Sequence, residues 1–233
     1  MATYVMADIH GEYGKYIDML EQINFSDEDT LFVLGDVCDR GNEPVTVLQD
    51  MSMRANVYPI LGNHELMALD VLDKLLVEIT EDNYATQIDG EFMNKLLSYQ
   101  QNGGSTTLKQ FTALPKDERE DLLEYMKEFA PYEVVDVGDK TYILVHSTLG
   151  NFAQGKPLSD YTLEELTFER ADYDKKLFDD NSIYIVSGHT PTKLLTGKWE
   201  IYKNANNIAI DCGAAFGGRL ACLCLDTMKE YYV

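Results

Sequence analysis

Residues 30–65 read TLFVLGDVCDRGNEPVTVLQDMSMRANVYPILGNHE. Two short apolar runs, 30–34 and 57–61, each end in a glycine followed by acidic, amide or imidazole side chains. Between them Val45, Leu48 and Met51 recur at helical spacing, which predicts a helix with one apolar stripe. Upstream, a run at 4–7 leads into Asp8-Ile9-His10, and Tyr13, Tyr16, Ile17, Leu20 and Ile23 form a second stripe. The order βαβαβ implies an α/β fold in which a parallel or mixed sheet is covered by helices.

Further short runs at 141–145, 183–187, 208–210 and 220–225 are expected to be strands buried on both faces. Glycine turns at Gly213 and Gly217-Gly218 add to a β-rich second half. The stretch from about 66 to 130 differs. Leu66, Leu69, Leu72, Leu75 and Leu76 follow helical spacing, as do Leu122, Leu123, Met126 and Phe129. A turn at Asn102-Gly103-Gly104 and a break at Pro115 separate these helices. The stretch reads as a helical insertion within a single domain spanning 1–233.

With 40 acids against 19 bases the net charge is −21, which disfavours nucleic acid or an anionic membrane as a general partner. It does not forbid a local cationic pocket. The acids of Asp117 to Asp121 read as a solvated helix face. No run reaches the roughly 18 apolar residues of a membrane helix, and no basic region precedes the short apolar start. Cys38, Cys212, Cys222 and Cys224 form no CxxC pair and read as buried thiols, with Cys222 and Cys224 on one strand face. A cytoplasmic protein is expected.

All four histidines follow predicted strands, as do Asp8, Asp36 and Asn63. Loops at the carboxyl ends of the strands form the ligand crevice of an open α/β sheet, so five loops should bring Asp8, His10, Asp36, Asn63, His146 and His189 together. Taken singly, a post-strand Asp is a turn former and Gly62-Asn63 a turn signal. The joint pattern is what points to metal. Carboxylate, imidazole and amide ligands suit Mn, Fe or Zn rather than a thiolate site.

DIHG, GDVCDRG, GNHE, VHS and GHT, in this order, resemble the calcineurin-like metallophosphoesterases. The GDxxDRG and GNHE strings are most similar to the phosphoprotein phosphatase branch, which includes bacterial diadenosine tetraphosphatase relatives. The resemblance implies an α+β sandwich: two central mixed sheets flanked by helices in four layers. It implies two divalent metal ions, Mn first, with Asp8 and His10 on one, Asp36 bridging, and Asn63, His146 and His189 on the other. His64 is then the general acid, oriented by Asp39. Arg40 grips phosphate, Asn63 lies beside it, and Arg170 of Phe168-Glu169-Arg170 is the nearest match to a second clamp. His146-Ser147-Thr148 departs from the His-Gly-Gly or His-Ala-Gly of many members, and Pro191 replaces a further histidine of the wider superfamily.

The implied chemistry is in-line attack of a metal-bridging hydroxide on a phosphate ester. Phosphorylated Ser, Thr or Tyr of proteins is the expected substrate, with dinucleoside polyphosphates as the alternative. A catalytically dead sheet domain would need damaged motifs, and Asp36, Asn63 and His64 are intact. Phe111, Tyr99 and Tyr202 are candidates to stack on a base, against the simpler reading of core packing.

Overall fold

The computed structural model describes residues 1–77, 80, 83 and 88–233. Two five-stranded mixed sheets lie at its centre. The first has the order β10-β9-β1-β2-β3, from β1 (Thr3–Met6), β2 (Thr30–Leu34), β3 (Val57–Ile60), β9 (Ala221–Cys224) and β10 (Glu230–Tyr232). The second has the order β4-β5-β6-β8-β7, from β4 (Tyr132–Val137), β5 (Lys140–Val145), β6 (Ile183–Ser187), β7 (Tyr202–Asn204) and β8 (Asn207–Ala209). β1, β2 and β3 run parallel, as do β5, β6 and β8.

Alternation along the strands builds the layers, because successive side chains point to opposite faces. Val5, Ala7, Phe32, Leu34 and Leu223 face Tyr142, Leu144 and Val186, which makes the core between the sheets. Tyr4, Met6, Leu31, Val33, Cys222 and Cys224 face the other way, onto α1 (Tyr13–Gln22), α2 (Pro44–Ser52) and the helices that follow β3. Ile143, Val145 and Ile185 form the outer core of the second sheet with Leu166 of α7 (Leu163–Thr167). The expected face shared by Cys222 and Cys224 is present, and all four cysteines are free and buried. Among the described residues no helix is long and apolar enough to cross a membrane.

The helices after β3 begin earlier than their leucine pattern suggests. α3 (Asn63–Leu72) already contains Asn63 and His64 in its first turn, and a short 3-10 turn at Asp73–Leu76 continues it. α4 (Gly90–Tyr99) and α5 (Ser105–Ala113) are separated, as expected, by a break in the helical path at Asn102-Gly103-Gly104. The chain kinks between them within Gln100–Gly104, where Gly103 takes a non-helical φ of +103°, a conformation that favours glycine. Pro115 does separate α5 from α6 (Lys116–Lys127). Part of the expected insertion, residues 78–79, 81–82 and 84–87, lies outside the described residues.

Candidate metal centre

The parallel strands of both sheets deliver their carboxyl ends to one edge, and the predicted residues meet there. Asp36 sits at the middle. Its Oδ2 lies 3.4 Å from His10 Nε2 and 3.9 Å from His64 Nε2, and its Oδ1 lies 3.3 Å from His146 Nε2. Two ligand-like triads share it: His10, Asp36 and His64, and Asp36, His146 and His189. Asn63 joins the second, with Oδ1 3.0 Å from His146 Nε2 and 3.0 Å from His189 Nδ1. Asp8 stands outside both triads, its carboxylate accepting from the His189 amide at 3.0–3.1 Å.

Tautomers follow from the partners. His10 Nδ1 is 2.8 Å from the Cys38 carbonyl and His146 Nδ1 is 2.7 Å from the Leu34 carbonyl. A carbonyl only accepts, so each Nδ1 carries a proton and each Nε2 is the ring atom turned toward Asp36. His146 Nε2 also lies 3.0 Å from the Asn63 carbonyl oxygen, with His189 Nδ1 3.2 Å away. Buried acceptors packed against one another repel unless a proton or a cation lies between them. This donor set fits a divalent ion of borderline hardness.

The charges respond to this crowding. Burial alone would raise Asp36, but His146, His64 and His10 outweigh it and hold the carboxyl well below its usual range. Asp8 moves the other way, raised by burial, then by Asp211 and Asp36. His189 is pushed down to about 4, first by burial and then by His146. His64 is raised: burial opposes its charge, yet Asp36 and the hydrogen bond to Asp39 prevail.

His64 and Asp39 form the expected dyad, Nδ1 to Oδ2 at 2.6 Å. Arg40 closes over it, with Nη2 2.8 Å from His64 Nε2 and Nη1 against His10 Nε2. Asp8, His10, Asp36, Asp39, Arg40 and His189 all have positive φ between 46° and 71°. For non-glycine residues that costs about 1–3 kcal/mol each, a strain that clusters where side-chain direction matters more than local comfort.

A model of the family described as calcineurin-like phosphoesterase matches residues 1–219. The chain belongs to this family. Among curated relatives, the symmetrical bis(5'-nucleosyl)-tetraphosphatase of Proteus mirabilis is 32% identical over 101 residues, 42% of this chain and 37% of that protein. The Salmonella typhimurium enzyme of the same name is 34% identical over 101 residues, 42% of this chain and 36% of that protein. The chain thus matches little more than a third of the length of these relatives. A solved putative diadenosine tetraphosphatase superposes with a TM-score of 0.68 at 18% identity, covering 99% of this chain and 92% of that one. A cold-active protein-tyrosine phosphatase of a psychrophile Shewanella gives 0.54 at 15% identity, covering 99% and 79%. These likenesses place the fold: two mixed sheets flanked by helices, as in other members of the family.

Within this phosphoesterase fold, the contacts of four buried side chains escaped the sequence reading. Glu65 accepts from the amides of Asp36, Val37 and Cys38 at 2.8–3.1 Å and of Gly62 at 3.0 Å, holding two motif loops on one carboxylate. Tyr99 at the end of α4 and Thr107 of α5 donate to Asp39 Oδ1 at 2.6 and 2.7 Å. Asp211 follows β8 as the other site residues follow their strands, and burial raises its pKa. That position after an apolar run was the signal that could have found it.

Arg170 lies in the irregular segment after α7, not on a helix face. It is exposed and among the described residues makes no ion pair, yet its charge reaches His189 and helps to lower its pKa. Ser147, the departure in the fourth motif, is buried and its hydroxyl donates to the Glu169 carbonyl, next to Arg170. Phe111 and Tyr99 are fully buried and offer no stacking face, while Tyr202 packs edge-on against Tyr173.

Proposed function

We propose that the protein is a metal-dependent phosphoesterase, acting as one domain with the helices between β3 and β4 as an insertion. The observation that carries this reading is the sharing of Asp36 by two groups of histidines gathered around it. Asp36 would serve both ions, with His10 and Asp8 on one side and Asn63, His146 and His189 on the other. Mn is the first expectation, with Fe and Zn as alternatives. When bound, such a pair supplies Lewis-acid charge and an acidified water.

The remaining steps belong to the chain. Arg40 presents a planar fork to phosphate oxygens, and Asn63 lies at the same edge. Arg170, unpaired and on the His189 side, is the proposed second clamp. His64, kept protonated by Asp36 and Asp39, gives its Nε2 proton to the departing oxygen. Asp39 keeps the other ring nitrogen protonated.

The finer proposal is hydrolysis of phosphomonoesters, such as phosphorylated Ser, Thr or Tyr of proteins, because the net charge of −21 slows approach of polyanions. Dinucleoside polyphosphates stand beside it, favoured by the names of the relatives. Protein stripped by exhaustive chelation should lose turnover of an aryl phosphate and regain it with Mn. Full turnover in metal-free protein, verified by elemental analysis, would remove the proposal. Competition between a phosphoserine peptide and diadenosine tetraphosphate then ranks the two substrates by kcat/KM.

A further inference from the structure

An aromatic ring stands open beside the candidate phosphate clamp. Phe216 is 53% exposed, a large apolar side chain that the fold could have buried. The Arg40 guanidinium carbon lies over it, 4.8 Å from the ring centroid. The ring sits in the loop after β8, residues 213–219, where Gly213 and Gly217 take φ values of +70° and +75° and turn the chain sharply at both ends. The loop is held from below: Lys15 of α1 donates to the Ala214 carbonyl at 2.6 Å and the Gly218 carbonyl at 3.3 Å. Trp199 packs against Gly213 and Gly218, where any β-carbon would collide with its ring. The platform is thus anchored while its ring faces outward.

This loop is also where bases gather in an acidic chain. Lys15 binds its backbone, Arg40 lies over its ring and Arg219 closes it, donating to the Trp199 carbonyl at 3.1 Å. Lys193 lies 5.0 Å from the Trp199 ring. Among the described residues Glu12 lies 3.9 Å from Lys15 and Glu200 3.9 Å from Arg219, and the Arg40 charge reaches the buried Asp8. Four bases thus gather along one rim of a chain whose net charge is −21.

We propose that the loop of residues 213–219 is a nucleoside-binding subsite, in which Phe216 stacks on the base of a nucleotide substrate. The inference rests on the phosphoesterase reading and gives it a substrate class. Base–aromatic stacking needs an exposed π face, and the cationic rim suits the additional phosphates that join a base to the reacting one. Reach selects among aromatic substrates. The guanidinium that would grip the phosphate lies between the site and the ring, so a phenol joined directly to the reacting phosphate falls short. A nucleobase, several bonds further along, can reach past Arg40 to the part of the Phe216 ring that the guanidinium leaves exposed. The polyanion disfavoured by the total charge is favoured by this one rim.

The test uses the full-length Mn-loaded protein and the variants Phe216→Ala, Phe216→Leu and Phe216→Trp. The readout is the ratio of kcat/KM for diadenosine tetraphosphate to that for a phosphoserine peptide without aromatic residues. The ratio should fall on the order of tenfold in the Ala and Leu variants and persist in the Trp variant, the size of one lost stack. Calorimetry supplies a reading independent of turnover: AMP should bind more tightly than inorganic phosphate, and Phe216→Ala should erase that advantage. A ratio unchanged in the Ala and Leu variants would mean that the ring acts only through Arg40, and the proposal fails. It fails equally if AMP binds wild-type protein no better than phosphate. Should no phosphate ester be hydrolysed at all, the phosphoesterase reading falls, while the AMP comparison still decides the subsite.

Discussion

The two sheets contribute unlike walls to the site. The first supplies Asp8, His10, Asp36, Asp39, Arg40, Asn63 and His64, held by side chains that converge on them: Glu65 on the loop amides, Tyr99 and Thr107 on Asp39. The second supplies His146, His189 and the exposed Arg170, held largely through the Leu34 carbonyl, backbone pairs and the Ser147 hydroxyl. One wall is braced by buried carboxylates with two or more partners. The other can shift at Arg170 without breaking a polar contact. The difference separates two tasks. On the proposed roles, proton delivery by the His64–Asp39 dyad would need close placement and would sit in the braced wall, whereas Arg170 as a clamp on a long side chain would tolerate freedom.

His64 gives the largest test of this division. His64→Asn should leave bound metal unchanged and slow an ester with a poor leaving group by on the order of 10²–10⁴-fold, while an activated aryl ester is nearly spared. Equal losses on both esters would take proton delivery away from the braced wall. Next come the braces themselves. Thr107→Val and Tyr99→Phe each remove one donor from the buried Asp39 carboxylate, and each should cost about tenfold on the poor leaving group alone, in line with a hydrogen bond to a charged group. If either variant slowed both esters alike, the insertion would be supporting the fold rather than the acid. Ser147→Ala gives the smallest effect. It frees the segment carrying Arg170 and should raise KM a few-fold with kcat unchanged. A fall in kcat as large as that of Thr107→Val would erase the contrast between the walls.

Most of the metal centre was legible because its residues share one local rule, a polar residue directly after an apolar strand. Asp211 obeys the same rule after β8 and was passed over, since Cys212-Gly213 beside it reads as a turn. Tyr99 and Thr107 had no such signal. They lie 60 and 68 residues from Asp39 in sequence, and only the packing of α4 and α5 brings their hydroxyls to it. β7 and β10 were missed for a different reason: each has three residues, lies at a sheet edge and is only partly buried, so no apolar run marks it. Arg170 lies just beyond the helix Leu163–Thr167, in a segment without the apolar periodicity that would have placed it from sequence.

The Glu65 carboxylate has a kinetic meaning as well as a geometric one. It accepts amides from the loop after β2 and from the loop after β3, so neither loop can leave its place without releasing a buried charge to which the other is also tied. Opening of these two stretches is therefore a single event, in which the amides of Asp36, Val37, Cys38 and Gly62 meet solvent together rather than fraying one by one. The strained Asp36 and Asp39 are kept in register by the cost of that shared opening, and the two carboxylates rise and settle as one piece.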